Sequence, residues 1–337
     1  MPPRLQDHEQ DDRREPTSAR LPSRRARASE GAPPTFVETR DEAFVARFLA
    51  HMRPWLQRFF DPDVRGLEHL PDGAALIVAN HNAGVLMPDV FILGDAIFRR
   101  AGARAVPYGL AHDVLFDLPH VRGALEKLGG VRASPASAHA LFTAGHKALV
   151  YPGGDREVMR PYRDRHRIVF GTRRGYVKMA IREGVPVVPV VTAGAHEAFM
   201  VLDDGGKLAS RFGLPRWARI NVLPTVLSLP WGLTFGFPPP YVPVPTRIVM
   251  DVLPPIAFDR RGQEAAADDA YVERCHERIV LAMQARLDEI VRTEEVGVRA
   301  RLRRRWAKAE PVGRFLEDLA EGIMERSPFV VSSDPSA

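Results

Sequence analysis

Residues 74–89 read AALIVANHNAGVLMPD, and this stretch decides the fold. Ala74–Ala79 is a short, wholly apolar run, the signature of a strand buried on both faces. The run breaks at Asn80–Gly84, where Gly84 permits a tight turn, and Asp89–Arg100 has the pattern of a helix. A buried strand that passes through a polar turn into a helix is the unit of an α/β domain. In open sheets of this kind ligands bind at the carboxyl ends of the strands, which is where His81 stands.

The alternation continues outward. Ala105–Leu110 reads as a strand, and Ser134–His146 as a helix with Ser134 as N-cap and Pro135 at its first position. Lys147–Tyr151 is a strand that ends in Pro152-Gly153-Gly154, and Thr172–Glu183 a helix stopped by Gly184. Val185–Ala193 is a strand whose Pro189 assigns it to an edge or a bulge. Arg247–Leu253 closes the series. The fold class is α/β, with a mixed, mostly parallel sheet flanked by helices.

Around this domain, expected over residues 39–262, lie less regular segments. Residues 1–38 are polar and rich in Arg, Pro and Ser, and are expected to be a disordered tail. In 41–60, Phe44, Val45, Phe48, Leu49, Met52, Trp55, Leu56, Phe59 and Phe60 recur at helical spacing, with Arg47, Arg53 and Arg58 between them. This predicts an N-terminal amphipathic helix, bent at Pro54, whose apolar face suits either the core or a lipid interface. Residues 211–245 are apolar and aromatic but too proline-dense for a helix, and are expected to form a loop against lipid or an acyl chain. Residues 263–327 are expected to be a C-terminal helical extension, with helices over Ala265–Thr293 and Val298–Glu325, the second divided near Pro311, and 328–337 a tail. Arg299, Arg301, Arg303, Arg304, Arg305 and Lys308 form a basic run. It is either a solvated helix face or an attachment to anionic headgroups, each residue contributing about 1 kcal/mol.

Composition narrows the function classes. The net charge of +5 favours anionic partners. Without a recognisable nucleic-acid motif, a lipid surface is the expected partner and nucleic acid is not. No apolar run approaches the roughly 18 residues of a spanning helix. The N-terminus lacks an apolar signal region, so a cytoplasmic protein held peripherally on the inner face of a membrane is expected. With Cys275 as its one cysteine the chain forms no internal disulfide and no cysteine metal cluster.

Three constellations carry chemistry. The first is His81 with Asp89: a histidine takes a hydroxyl proton near neutral pH, and a carboxylate fixes its tautomer. Asn80 and Gly84 flank the histidine as candidate substrate contacts. The second is Gly129-Gly130-Val131-Arg132, where Arg132 suits bidentate binding of a phosphate. The third is Tyr151-Pro152-Gly153-Gly154-Asp155-Arg156-Glu157, where Gly153 and Gly154 let backbone N–H groups approach a ligand and Arg156 adds charge. His196 and Glu197 follow the last apolar strand and are candidates to line the site. No Gly-x-Ser-x-Gly elbow is present, which argues against an acyl-enzyme route.

In this order the blocks resemble the glycerophospholipid acyltransferase superfamily, which includes lysophosphatidic acid and glycerol-phosphate acyltransferases. The resemblance runs from Asp61 to Phe199. Asn80, His81 and Asp89 match its first block, Gly129, Gly130 and Arg132 its second, Tyr151, Pro152, Gly153 and Gly154 its third, and Val187–Val190 its fourth. Arg174–Ala180 and Ala195–Phe199 look more like the diacylglycerol-acyltransferase-like branch. Two departures stand out. Seven residues separate His81 from Asp89 where four are usual, so the Ala83–Pro88 loop must fold back. Gly153 stands where the third block usually has glutamate; either Glu157 takes that role or the acceptor lacks the phosphate that this block helps to bind. The resemblance implies acyl transfer from acyl-CoA or acyl carrier protein to a hydroxyl of a glycerolipid or lysophospholipid, without metal or other cofactor. A lipid esterase or thioesterase, in which the pair activates water, and a non-catalytic lipid-binding protein are the alternatives.

Overall fold

The computed structural model describes residues 39–82, 84, 86–117, 119–205, 224–236 and 241–306. The expected N-terminal tail up to residue 38, residues 211–223 and 237–240 of the proline-rich stretch, and everything beyond Trp306 lie outside the described residues.

Among the described residues, ten strands form two sheets: β1 Asp63–Arg65, β2 Ala75–Ala79, β3 Tyr108–Ala111, β4 Gly130–Arg132, β5 Lys147–Val150, β6 Val187–Ala193, β7 Met200–Asp203, β8 Thr225–Ser228, β9 Gly232–Phe235 and β10 Val249–Val252. The main sheet has the order β1-β10-β6-β2-β5-β3-β4. All neighbours in it are parallel except β10 and β6. The mixed, mostly parallel sheet expected from the sequence is thus present. β2 lies near its middle, and its five residues are all buried.

The pleat of β2 divides the core. Leu76 and Val78 point into one layer, Ala75, Ile77 and Ala79 into the other. The second layer is covered by α1 Glu42–Phe60 and α2 Pro88–Ala101. The first is covered by α4 Pro135–Thr143, α6 Gly175–Glu183, α7 Gly262–Ala267 and α8 Asp269–Thr293. Between β3 and β4 runs α3 Pro119–Lys127, and α5 Gly154–Val158 follows β5.

Local signals explain the boundaries. Asp41 caps α1 by accepting from the Phe44 N–H at 2.9 Å, and Ser134 caps α4 through the Ser137 N–H at 3.0 Å. Gly184 ends α6 in the left-handed conformation. The expected helix over Ala265–Thr293 is in fact two, because Asp268 leaves the helix and caps α8 through Tyr271.

Four expectations need correction. Pro189 sits in an interior strand and not at an edge, while the expected bulge lies opposite it, where the register shifts by one residue between Leu253 and Ile256. Its carbonyl accepts from Leu253 just past the end of β10, so the missing N–H faces the side where that ladder has already stopped. The apolar face of α1 belongs to the core: Val45, Leu49, Leu56 and Phe60 are buried in it, and Arg53 pairs with Asp95 of α2 at 2.8 Å. The helix α8 is no extension, since Ile279, Met283, Leu287 and Ile290 are fully buried under the sheet. Burial of each such side chain stabilises by about 2 kcal/mol. Lastly, the stretch expected as a loop contains β8 and β9, an antiparallel hairpin that pairs with β7 in a second sheet.

Candidate active site

The carboxyl ends of β2, β4, β5 and β6 deliver the candidate residues to one edge of the sheet. Asn80 is fully buried there. Its Nδ2 donates to the Thr192 carbonyl at 3.0 Å, and its Oδ1 accepts from the Thr192 N–H at 2.8 Å. The side chain therefore extends the β2–β6 ladder past its end. Asn80 is a strut, and its expected role as a substrate contact is withdrawn.

His81 is held by its backbone. Its N–H donates to Glu157 Oε2 at 2.8 Å, and its carbonyl accepts from Arg160 Nη1 at 2.7 Å. The ring lies against Tyr151, with centroids 4.7 Å apart. Asp89 is wholly buried at the start of α2, where Oδ2 accepts from Asn82 Nδ2 at 3.0 Å. Asn82 also donates to the Asn80 carbonyl at 3.3 Å, so one buried amide ties the two ends of the long spacer together. No hydrogen bond joins His81 to Asp89. Among the described residues, His81 Nδ1 and Asp89 Oδ1 are each buried without a partner.

The spacer itself is pinned from outside. Gly84 has φ +86°, and a Cβ there would lie 2.4 Å from Tyr241 Oη and 3.0 Å from Phe199 Cβ. Tyr241 Oη accepts from the Leu86 N–H at 3.1 Å. Gly84 thus permits close packing on Tyr241 and Phe199, which corrects its assignment as a substrate contact.

The third block folds over His81 from β5. A Cβ on Gly153 would meet Glu157 Oε2 at 2.1 Å and Glu157 Cβ at 2.4 Å, so the Glu157 side chain occupies the space that a residue at 153 would need. Its carboxylate accepts from the His81 and Val169 N–H groups at 2.8 and 3.0 Å. Gly154 gives way to Arg173, whose Nη1 donates to the Gly153 carbonyl at 2.6 Å. Glu157, Gly153 and Gly154 therefore shape the backbone around His81, and the structure does not leave them open to a ligand. Arg160 is buried, bonding the carbonyls of His81, Glu157 and Arg165. His196, also buried, lies with Nε2 2.9 Å from the Arg160 carbonyl, and Glu197 accepts from the Val298 N–H at 3.0 Å. Both brace Arg160 and the C-terminal chain, and neither lines an open site.

Arg132 is exposed at the end of β4, three strand spacings from β2, or about 14 Å. It stacks on Phe116 and pairs with Asp113 and Asp117 at 3.3 and 3.4 Å. Arg156 is exposed on α5. The sequence reading gave no role to Asn82, Arg160 or Tyr241, and took Tyr151 only as the first residue of the third block. Asn82 had a visible signal, an amide seven residues before the candidate carboxylate. The others act at long sequence range. A groove lined by Arg53, Gln57, Asp95 and Arg99 runs along α1 and α2 and contains none of these groups.

Burial sets the electrostatics. It pushes His81 down to about 4, assisted by Arg160 and Arg173, so the imidazole is neutral at pH 7. It pushes Asp89 up to about 6 against the Asn82 hydrogen bond, and Glu157 up to about 7 against Arg160. The Tyr151 hydroxyl, buried beside Asp89 and Glu157, is held well above its usual value. For Glu157 a raised folded-state value means stability that is present below its ordinary 4.5 and lost as pH rises through about 7. The loss is about 3 kcal/mol. Glu157→Gln removes this titration. The stability difference between wild type and variant should therefore shift by that amount, against the wild type, from pH 4.5 to 8 in urea unfolding. A constant difference would contradict it.

Comparison with known proteins gives this geometry a class. Residues 61–193, from β1 through β6, match the Acyltransferase family model. An uncharacterized protein of Mycobacterium tuberculosis (strain ATCC 25618 / H37Rv) is 36% identical over 201 residues, 56% of each chain. The "DGAT1/2-independent enzyme synthesizing storage lipids" of Homo sapiens is 30% identical over 186 residues, 54% of each chain. The chain thus spans a little over half the length of the curated relatives it matches. The crystal structure of the 1-acyl-sn-glycerophosphate (LPA) acyltransferase PlsC from Thermotoga maritima aligns with a TM-score of 0.41 at 19% identity, over 74% of this chain and 79% of that one. The family model thus matches residues 61–193, the span in which the sequence blocks resemble the glycerophospholipid acyltransferase superfamily.

Proposed function

We propose that the protein transfers a fatty acyl group from a thioester donor, acyl-CoA or acyl carrier protein, to a hydroxyl of a glycerolipid or lysophospholipid. The observation that carries this is His81 at the carboxyl end of the central strand, in the segment that matches the Acyltransferase family model, with its backbone clamped on both sides. His81 takes the acceptor's hydroxyl proton as the oxygen bonds to the thioester carbon. The C–S bond then breaks, and the thiol leaves with a proton returned by the imidazolium. His81 Nδ1 and Asp89 Oδ1, both unpartnered, are chemically complementary, and their pairing around bound substrate completes the dyad. No metal or other cofactor enters this scheme.

Arg132, exposed at the end of β4, and Arg156, exposed on α5 just after β5, are assigned to phosphates of donor or acceptor. Arg132 must exchange two exposed carboxylates for the phosphate, a substitution of one ion pair for another. The protein works at an anionic membrane surface, attached peripherally on the cytoplasmic side. No helix among the described residues is long and apolar enough to cross a bilayer, which is compatible with this placement.

The test is thiol release from acyl-CoA and from acyl carrier protein, with a panel of lysophospholipid, monoacylglycerol and diacylglycerol acceptors. Release that depends on one acceptor class, with the esterified lipid as product, is expected. Free fatty acid formed without an acceptor would replace the proposal with a thioesterase.

A further inference from the structure

The second sheet is inside out. An antiparallel sheet with one face on the core ordinarily turns polar side chains to solvent. Here the inner face carries Val201 and Val226, buried against Phe199 and Tyr241. The outer face pairs Leu227 with Leu233 and continues to Phe235 opposite Thr225, with the leucines 43% and 64% exposed and Phe235 64%. The turn between β8 and β9 adds Leu229 and Trp231, each about half exposed, and β7 adds Leu202. Contiguous exposed apolar surface of this kind marks an interaction site.

Resting on the acyl-transfer reading above, we propose that the outer face of β7–β8–β9 is where the protein docks on an anionic lipid bilayer, and that Tyr241 carries docking to the His81–Asp89 loop. Three observations select a bilayer. Trp231 at the hairpin tip, flanked by Leu229 and Leu233, is the side chain suited to the headgroup boundary. Between Gly205 and Thr246 the sequence has four basic residues, Lys207, Arg211, Arg216 and Arg219, and no Asp or Glu, a balance matched to anionic headgroups. The hairpin is also continuous with the candidate site. The Val242 N–H donates to the Leu229 carbonyl at 2.8 Å, and the adjoining Tyr241 stacks on Phe199 at 4.6 Å and accepts from the Leu86 N–H. A face pressed on lipid thus fixes, through one hydroxyl, the loop between the two proposed catalytic side chains.

The experiment is co-sedimentation with vesicles of equal phosphatidylglycerol and phosphatidylcholine. It compares wild type, Leu233→Thr/Phe235→Thr, Leu233→Glu/Phe235→Glu and Tyr241→Phe, each checked by circular dichroism. Threonine keeps strand propensity at exposed positions, so the first variant reads docking even if the glutamates disturb folding. Wild type should bind, and the threonine variant should bind at least about tenfold more weakly. Tyr241→Phe should bind as wild type but lose stimulation of turnover by vesicles. Equal binding by wild type and the threonine variant overturns the docking face, and undiminished stimulation in Tyr241→Phe overturns the link. A wild type that ignores vesicles but forms a dimer that the threonine substitutions dissociate would assign the face to a second copy instead. Vesicle binding is read without turnover, so a chain that docks yet transfers no acyl group would sink the proposed reaction and leave the docking face standing.

Discussion

His81→Ala is expected to lower acceptor-dependent thiol release by roughly 10²- to 10⁴-fold, the range of a positioned general base, while leaving the fold almost untouched. The reason for the second half lies in how the residue is held. Both anchoring contacts of His81, to Glu157 and from Arg160, use backbone atoms, which alanine retains. The substitution removes the ring and its packing on Tyr151, and little else. A thermal melt run beside the kinetics separates the two effects. Lost turnover with a melting point shifted by only a few degrees assigns a chemical role. Turnover that survives the substitution would remove His81 from the mechanism. A collapse of the melt would show that the ring is structural.

Gly153→Glu should be severely damaging alone and much less so together with Glu157→Ala. The three atoms nearest a Cβ on Gly153 all belong to Glu157, so a side chain at 153 collides with that residue first. Overpacking of this kind costs about 1–3 kcal/mol or more. Glu157→Ala alone leaves the N–H groups of His81 and Val169 buried without acceptors, at about 1–3 kcal/mol each. If the carboxylate has moved four residues along the chain, restoring it at 153 after clearing 157 should recover more than half of each loss in both melting point and turnover. Strict additivity of the two single effects would show instead that Glu157 is not a relocated partner of His81.

What the sequence disclosed was mostly what is decided locally. The apolar run of β2, the Ser134 cap of α4 and the Gly184 stop of α6 each depend on a few adjacent residues, and each lies where expected. The order of His81, the Gly-rich turns and the apolar strand was legible because it follows the strand–helix alternation. Pro189 misled because a proline tells which hydrogen bond is missing and not which neighbour stands opposite. The outer face of the small sheet was misjudged as loop because its prolines flank the strands while the strands themselves, TVLS and GLTF, are only four residues long. Arg160 was passed over because its partners are carbonyls up to 79 positions away, which no local pattern reveals. Asn80 drew a functional assignment from its place beside the histidine, although its amide is spent on the backbone of a neighbouring strand.

β10 has a consequence for how the molecule comes into being. It lies between β1 and β6 although it follows β6 by more than fifty residues, so the acyltransferase-family segment has a gap in its own sheet that a later part of the chain fills. A nascent chain released only to Ala193 leaves the side of β6 that β10 will cover unpaired, and β1 without its partner. Such an open edge, on a strand that is fully buried in the finished protein, invites pairing with another chain. Closure waits for Val252, and the covering layer waits for α8, which ends at Thr293. The segment that matches the family model, made early, is thus completed only after Thr293 has been synthesised, and premature termination anywhere in the intervening stretch yields a product prone to aggregate.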